Sequence, residues 1–156
     1  MGAVKNMVKG FIFTGIYVLF TVVIPLVFFT LIFSIEGLPL EWEQQDKNNI
    51  TFWIVAFGLL VSGLAFFKYS SPKQSIRKAV FALVQVIVNC LYIWSYRFSG
   101  AAEITFVIAD FGFFSLDVSQ MLLIYMGIYF LTIILRVYDV IDFTINREKI
   151  RENRMK

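Results

Sequence analysis

The chain contains no histidine and a single cysteine, Cys90. Without histidine there is no His-ligated haem, no His-based zinc or iron site, no Ser–His or Cys–His nucleophile pair, and no histidine pH switch. One cysteine excludes an internal disulfide, a C-x-x-C redox pair and a thiolate metal cluster; Cys90 itself reads as a small core residue. Charge is scarce as well. Only 16% of the 156 residues are charged, against about 25% in an ordinary soluble domain. What fills the gap is apolar: 59% of the chain is hydrophobic and the mean hydropathy is +0.76. A soluble fold of this size has no interior large enough for that surface, so the composition predicts an integral membrane protein, and the uncharged spans below make it an all-α one.

The few charges divide the chain into uncharged stretches at 10–35, 48–67, 79–96 and 118–135. Each approaches or exceeds the ~20 apolar residues that cross a bilayer. The expected architecture is a four-transmembrane-helix bundle occupying 1–156 as one domain, with spans near 9–35, 50–68, 73–97 and 118–138. The first stretch far exceeds the ~7–15-residue apolar core of a signal peptide and no A-x-A-like site follows it, so a retained helix is expected. Asn6 stands where a myristoylation motif wants Ser or Thr.

Basic residues set the expected orientation. Lys5 and Lys9 precede the first span; Lys68, Lys73, Arg77 and Lys78 fill the second connection; six Lys or Arg follow from Arg136 onward. The first and third connections hold only Lys47 and Arg97 among seven acids. Short Lys/Arg-rich loops stay in the cytoplasm, so both termini are expected there, in a multi-pass protein of the plasma membrane by default. The net charge of +3 is then a topology signal, and no nucleic-acid partner is expected.

Local signals mark the helix ends. Gly37 and Pro39 suit the close of the first helix. Ser71, Pro72 and Gln74 form a capping box that would start the third helix; Asp117 and Gln120 would do the same for the fourth. Pro25 lies inside the first helix, removes one backbone bond, frees the carbonyl of Thr21 and predicts a kink. Between the third and fourth spans, residues 103–119 alternate apolar and polar on either side of Asp110, Phe111 and Gly112. That pattern predicts a short extracytoplasmic β-hairpin. Ile104, Phe106, Ile108, Phe114, Leu116 and Val118 would share its apolar face, which needs a packing partner.

Function in such a chain is sought among its intramembrane polar groups. Gln85, Asn89, Tyr92 and Tyr96 are spaced four, three and four along one face of the third helix. Tyr125, Tyr129, Thr132 and Arg136 repeat the spacing on the fourth. Gly58, Ser62 and Ala65 form a small-residue stripe on the second, which lets helix backbones approach closely. The polar stripes serve interhelical packing on one reading and line a hydrated path on another. None of the four uncharged stretches contains the Asp or Glu that a cation pathway or proton-coupled exchange wants. Arg136, Asp139 and Asp142, with Lys68, Lys73, Arg77 and Lys78, form an interfacial charge cluster expected to clamp the fourth helix to the turn between the second and third. The tail, 139–156, places Arg147, Arg151 and Arg154 on one helical face and predicts attraction to anionic headgroups. Asn49-Ile50-Thr51 is a glycosylation sequon abutting the second helix.

No phosphate loop, nucleophile elbow or metal-ligand cluster is present. Neither an enzyme nor a cofactor is therefore expected, although an interfacial lipid enzyme remains the third-ranked alternative. The leading expectation is a non-catalytic subunit or scaffold of a membrane complex, acting through lateral helix packing and its outer hairpin. The alternative is a homo-oligomeric ion or small-solute channel or transporter lined by Gln85, Asn89, Tyr129 and Thr132. Expected partners are the bilayer itself and either further copies or other membrane subunits.

Overall fold

The computed structural model describes residues 2–34, 44–73, 75–108 and 112–146. These are mostly helical, and four helices are long and apolar enough to cross a membrane: Val4–Ser34, Lys47–Ser70, Ile76–Phe98 and Ser119–Ile145. They pack in chain order, helix one on two, two on three and three on four. A bundle of this kind is held by close van der Waals contact and interhelical hydrogen bonds, because lipid supplies no hydrophobic drive between helices.

Helix one starts earlier than expected and comes in three pieces, Gly2–Val18, a π-helical turn at Leu19–Val23, and Ile24–Ser34. The irregularity expected at Pro25 takes the form of that turn. Proline has no N–H to give, and the backbone widens just ahead of it, with the Ile24 N–H donating five residues back to the Leu19 carbonyl. The proposed end of this helix at Gly37 and Pro39 lies outside the described residues.

Helix two, Gln44–Ser70, takes in the Asn49–Thr51 sequon, whose Ile50 is buried. Helix three, Ile76–Phe98, does not begin at Ser71 and Pro72. Its cap is Ser75, in extended backbone, whose hydroxyl accepts from the Lys78 N–H at 3.2 Å. Ser71 instead closes helix two, its hydroxyl donating to the Phe67 carbonyl at 2.6 Å. Two serines four residues apart thus divide the work of one turn. Replacing Ser75 by alanine should cost about 1 kcal/mol at this helix start. Amide exchange over residues 76–79 should rise roughly fivefold at that cost, whereas Ser71→Ala should leave those amides unchanged.

Helix four, Ser119–Ile145, runs past the expected boundary, so the first part of the expected tail belongs to it; 147–156 lie outside the described residues. Its start also differs from the expected box. Val118 is the cap residue and gives no side-chain bond, while Asp117 accepts from the Ser119 N–H at 2.7 Å. The Ser119 hydroxyl first, and that backbone bond second, hold the Asp117 carboxyl below its ordinary range.

Between helices three and four, Glu103–Ile108 (β1) and Gly112–Asp117 (β2) pair antiparallel, with Ile104 opposite Leu116 and Phe106 opposite Phe114. Residues 109–111 of the expected connector lie outside the described residues. Gly100 and Gly112 have φ of +78° and +96°, a region glycine enters without steric cost. The hydrophobic core sits at this end of the bundle, where Phe29, Ile50, Ile54 and Ala101 meet, with Leu26, Phe33 and Tyr96 against them.

Candidate functional site: a polar junction between three helices

Gly58 stands where helices one and two approach closely. A Cβ built on Gly58 would lie 2.6 Å from both the Thr21 carbonyl oxygen and Val22 Cγ2. Ser62 and Ala65 are almost fully buried beside it. At that approach the polar groups of the two helices meet. The Thr21 hydroxyl lies 2.8 Å from the Tyr17 carbonyl, 3.1 Å from the Gly58 carbonyl and 3.3 Å from the Ser62 hydroxyl. Ser62 in turn donates to the Gly58 carbonyl at 2.7 Å.

Helix three completes the junction. The Tyr92 hydroxyl donates to the Thr21 carbonyl at 2.7 Å, and the Tyr96 hydroxyl lies 2.7 Å from that of Tyr92. A phenol has one proton. With Tyr92's committed to Thr21, Tyr96 is the donor of the second bond. Thr21 stands four residues before Pro25, at the carbonyl that a regular helix would have paired with the missing proline N–H. Tyr92 supplies a donor there from another helix, which is how membrane proteins tolerate proline in a span.

Of the helix-three stripe, Gln85 and Tyr92 are buried at 1% and 8% exposure, and Tyr96 is half-buried against the Phe29 ring. Asn89 is half-buried and makes no hydrogen bond among the described residues. The helix-four stripe has a different setting. Tyr125 is 45% exposed, Tyr129 is half-buried, and the Thr132 hydroxyl turns back to the Ile128 carbonyl of its own helix. Neither the Tyr125 nor the Tyr129 hydroxyl finds a hydrogen-bond partner among the described residues.

The residues of the charge cluster are distributed differently from the expected clamp. Arg136 and Asp139 form an ion pair at 2.8 Å within helix four, about two-fifths exposed. Asp142 accepts from the side-chain amide of Asn146, the residue that caps the end of that helix, at 2.7 Å. Lys68 turns to Gln85, donating to Oε1 at 2.9 Å, and Arg136 and Lys78 are near enough for their charges to oppose its own. Arg77 is exposed on the first turn of helix three. At the same end, the Phe13 and Tyr69 rings stack at 3.9 Å, with the Lys9 and Lys68 ammonium groups 6.0 and 5.1 Å from the Tyr69 ring centre.

Among the described residues, no three His, Cys, Asp or Glu side chains gather in a way that could hold a metal ion. Four helices long and apolar enough to span, three of them joined at a polar junction, define a multi-pass membrane protein. Comparison with known protein families, with curated proteins and with solved structures finds no match for the chain.

The helix-three spacing points to the junction, and Pro25 points to Thr21. Two features went unsignalled: the Lys68–Gln85 bond, which joins residues 17 apart, and the open surface at Gly127.

Proposed function

We propose that the protein is a non-catalytic subunit of a membrane complex, with helix four as its lateral contact surface. The observation that carries this reading is Gly127. Glycine inside a helix costs about 0.5–1 kcal/mol relative to alanine, and a close neighbour usually explains it, as Thr21 explains Gly58. Nothing lies within 4 Å of a Cβ built on Gly127. Gly15 of helix one and Gly63 of helix two are open in the same way, but helix four is the one spanning helix with no buried residue in its apolar window. A second transmembrane helix seated over Gly127 would give that glycine a purpose.

Two further features support a helix as the occupant. Ile124, Ile128, Leu131, Leu135 and Tyr138 are all more than half exposed. Their spacing of four, three, four and three is the seam spacing of interdigitating helices. Tyr125 and Tyr129 bring hydroxyls to this helix that a partner's carbonyls could satisfy, which matters where no water competes. The burial of Gln85 and Tyr92 favours packing over a pore lining for the helix-three stripe. On this reading both termini are cytoplasmic, and the 103–119 hairpin lies outside, offering its apolar face to the same complex.

Gentle solubilisation from native membranes and native mass spectrometry test the proposal. The expected result is a complex with unlike membrane subunits, lost in Gly127→Leu while the monomer's thermal stability is kept. Recovery as a monomer, or as a homo-oligomer that passes ions in liposomes, would overturn it.

A further inference from the structure

Lys68 lies two residues from the end of helix two, and Gln85 stands nine residues into helix three. Helical side chains lean toward their own N-terminus. For helix two that direction leads into the bilayer, and Lys68 follows it to reach the Gln85 amide. A lysine near a membrane boundary ordinarily extends its ammonium outward to water. Here the ammonium is turned inward against a neutral acceptor and the face of Tyr69. Among the described residues no carboxylate comes within ion-pair distance of it. Arg136, nine residues from the end of helix four, lies at a matching depth, and its charge is answered by Asp139; Lys78 adds a further cation.

Gln85 carries a second unmet demand. The residue is 1% exposed, and Nε2, with two N–H donors, is buried and has no acceptor among the described residues. A buried donor without a partner is destabilising, and a half-buried cation without a counter-charge adds to that. Both deficits have one remedy. An oxyanion with two or more oxygens can accept from Nε2 through one and from the remaining Lys68 protons through another.

We infer that Lys68 and Gln85 form a binding site for a single oxyanion between the inner ends of the helices, filled by the phosphate of an acidic lipid headgroup or by free phosphate. Cationic recesses between transmembrane helices recognise headgroups in this way. The site uses none of the residues of the basic tail and does not depend on helix four having a protein partner.

The test uses delipidated protein in neutral detergent, titrated with phosphatidylglycerol, phosphatidylcholine or millimolar inorganic phosphate and followed by native mass spectrometry and thermal unfolding. The wild type should take up one phosphatidylglycerol with about tenfold preference over phosphatidylcholine, and its melting temperature should rise. Lys68→Met should abolish the preference, and Gln85→Leu should weaken it, giving a second variant should one of them fold poorly. Lys68→Arg should retain it, and so should Arg77→Gln, which removes an exposed charge from the same connection. Stabilisation by inorganic phosphate and not by the lipid would identify the free ion as the source and support the site in that form. No preference and no phosphate effect in the wild type would overturn the inference. So would equal binding by Lys68→Met, or equal loss in Arg77→Gln.

Discussion

Replacing Gly58 by alanine should lower the stability of the bundle by about 2 kcal/mol, within the range for overpacked sites, and Gly58→Leu should leave no folded protein. The added methyl would sit 2.6 Å from a backbone carbonyl oxygen and 2.6 Å from Val22 Cγ2. Valine can turn, but the Thr21 carbonyl is fixed by the helix that carries it and by the Tyr92 hydroxyl. Relief therefore requires helices one and two to separate, and separation also lengthens the Thr21 contacts to Gly58 and Ser62. Gly127→Ala is the matched control. It meets nothing and should stabilise the isolated protein by about 0.5–1 kcal/mol through helix propensity alone. Reversible unfolding of the purified protein in mixed micelles reads both values. A Gly58→Ala protein as stable as the wild type would mean that the two helices do not approach this closely.

Tyr92→Phe should cost about 1.5 kcal/mol, near the upper end for hydrogen bonds between membrane helices. The substitution keeps the ring and removes two things: the donor to the Thr21 carbonyl and the acceptor used by Tyr96. Tyr96→Phe removes only the outer bond and should cost roughly half as much. The two effects should not add. Once Tyr92 is phenylalanine, the Tyr96 hydroxyl is an unsatisfied group, and deleting it relieves that penalty. The double variant should be no less stable than Tyr92→Phe, and the coupling is read from a double-mutant cycle. Simple additivity would mean that the two hydroxyls bond independently.

The spans are the part of this fold that composition reveals most directly, because a bilayer forbids charge over some 20 residues and charge is easy to see. Helix ends are less legible. Ser71-Pro72-Lys73-Gln74 has every mark of a helix start, yet the Ser71 hydroxyl already serves the helix before it, and Ser75 caps the next. Both assignments obey the same capping chemistry, and the sequence does not say which helix claims which serine. The junction is half legible. Pro25 announces an unpaired carbonyl near Thr21, and spacing puts Gln85, Tyr92 and Tyr96 on one face. That Tyr92 is the group that answers the carbonyl depends on how helices one and three are juxtaposed, across 71 residues of chain.

The charge cluster misleads for a related reason. Lys68, Arg136, Asp139 and Asp142 all lie toward the C-terminal ends of helices two and four, and that nearness suggests cross-helix ion pairs. Side-chain direction decides otherwise. Lys68 leans along helix two toward the membrane interior and meets Gln85, while the acids of helix four find partners three and four residues away, on their own helix or at its cap. Gly127 could have been noticed as a glycine inside a span. Its meaning needed the contrast with Gly58, since only the structure separates a glycine that is filled by a neighbour from one that is left open.

On the proposed function, helix four is covered by another protein's helix. Photo-crosslinking in native membranes tests it most directly, with a benzophenone side chain at Leu131, and at Leu60 of helix two as the comparison. Leu131 is 65% exposed and Leu60 51%, so lipid alone would label both alike. A discrete crosslinked polypeptide of constant mass is expected from Leu131 and only lipid adducts from Leu60. Lipid adducts alone from Leu131 would contradict it.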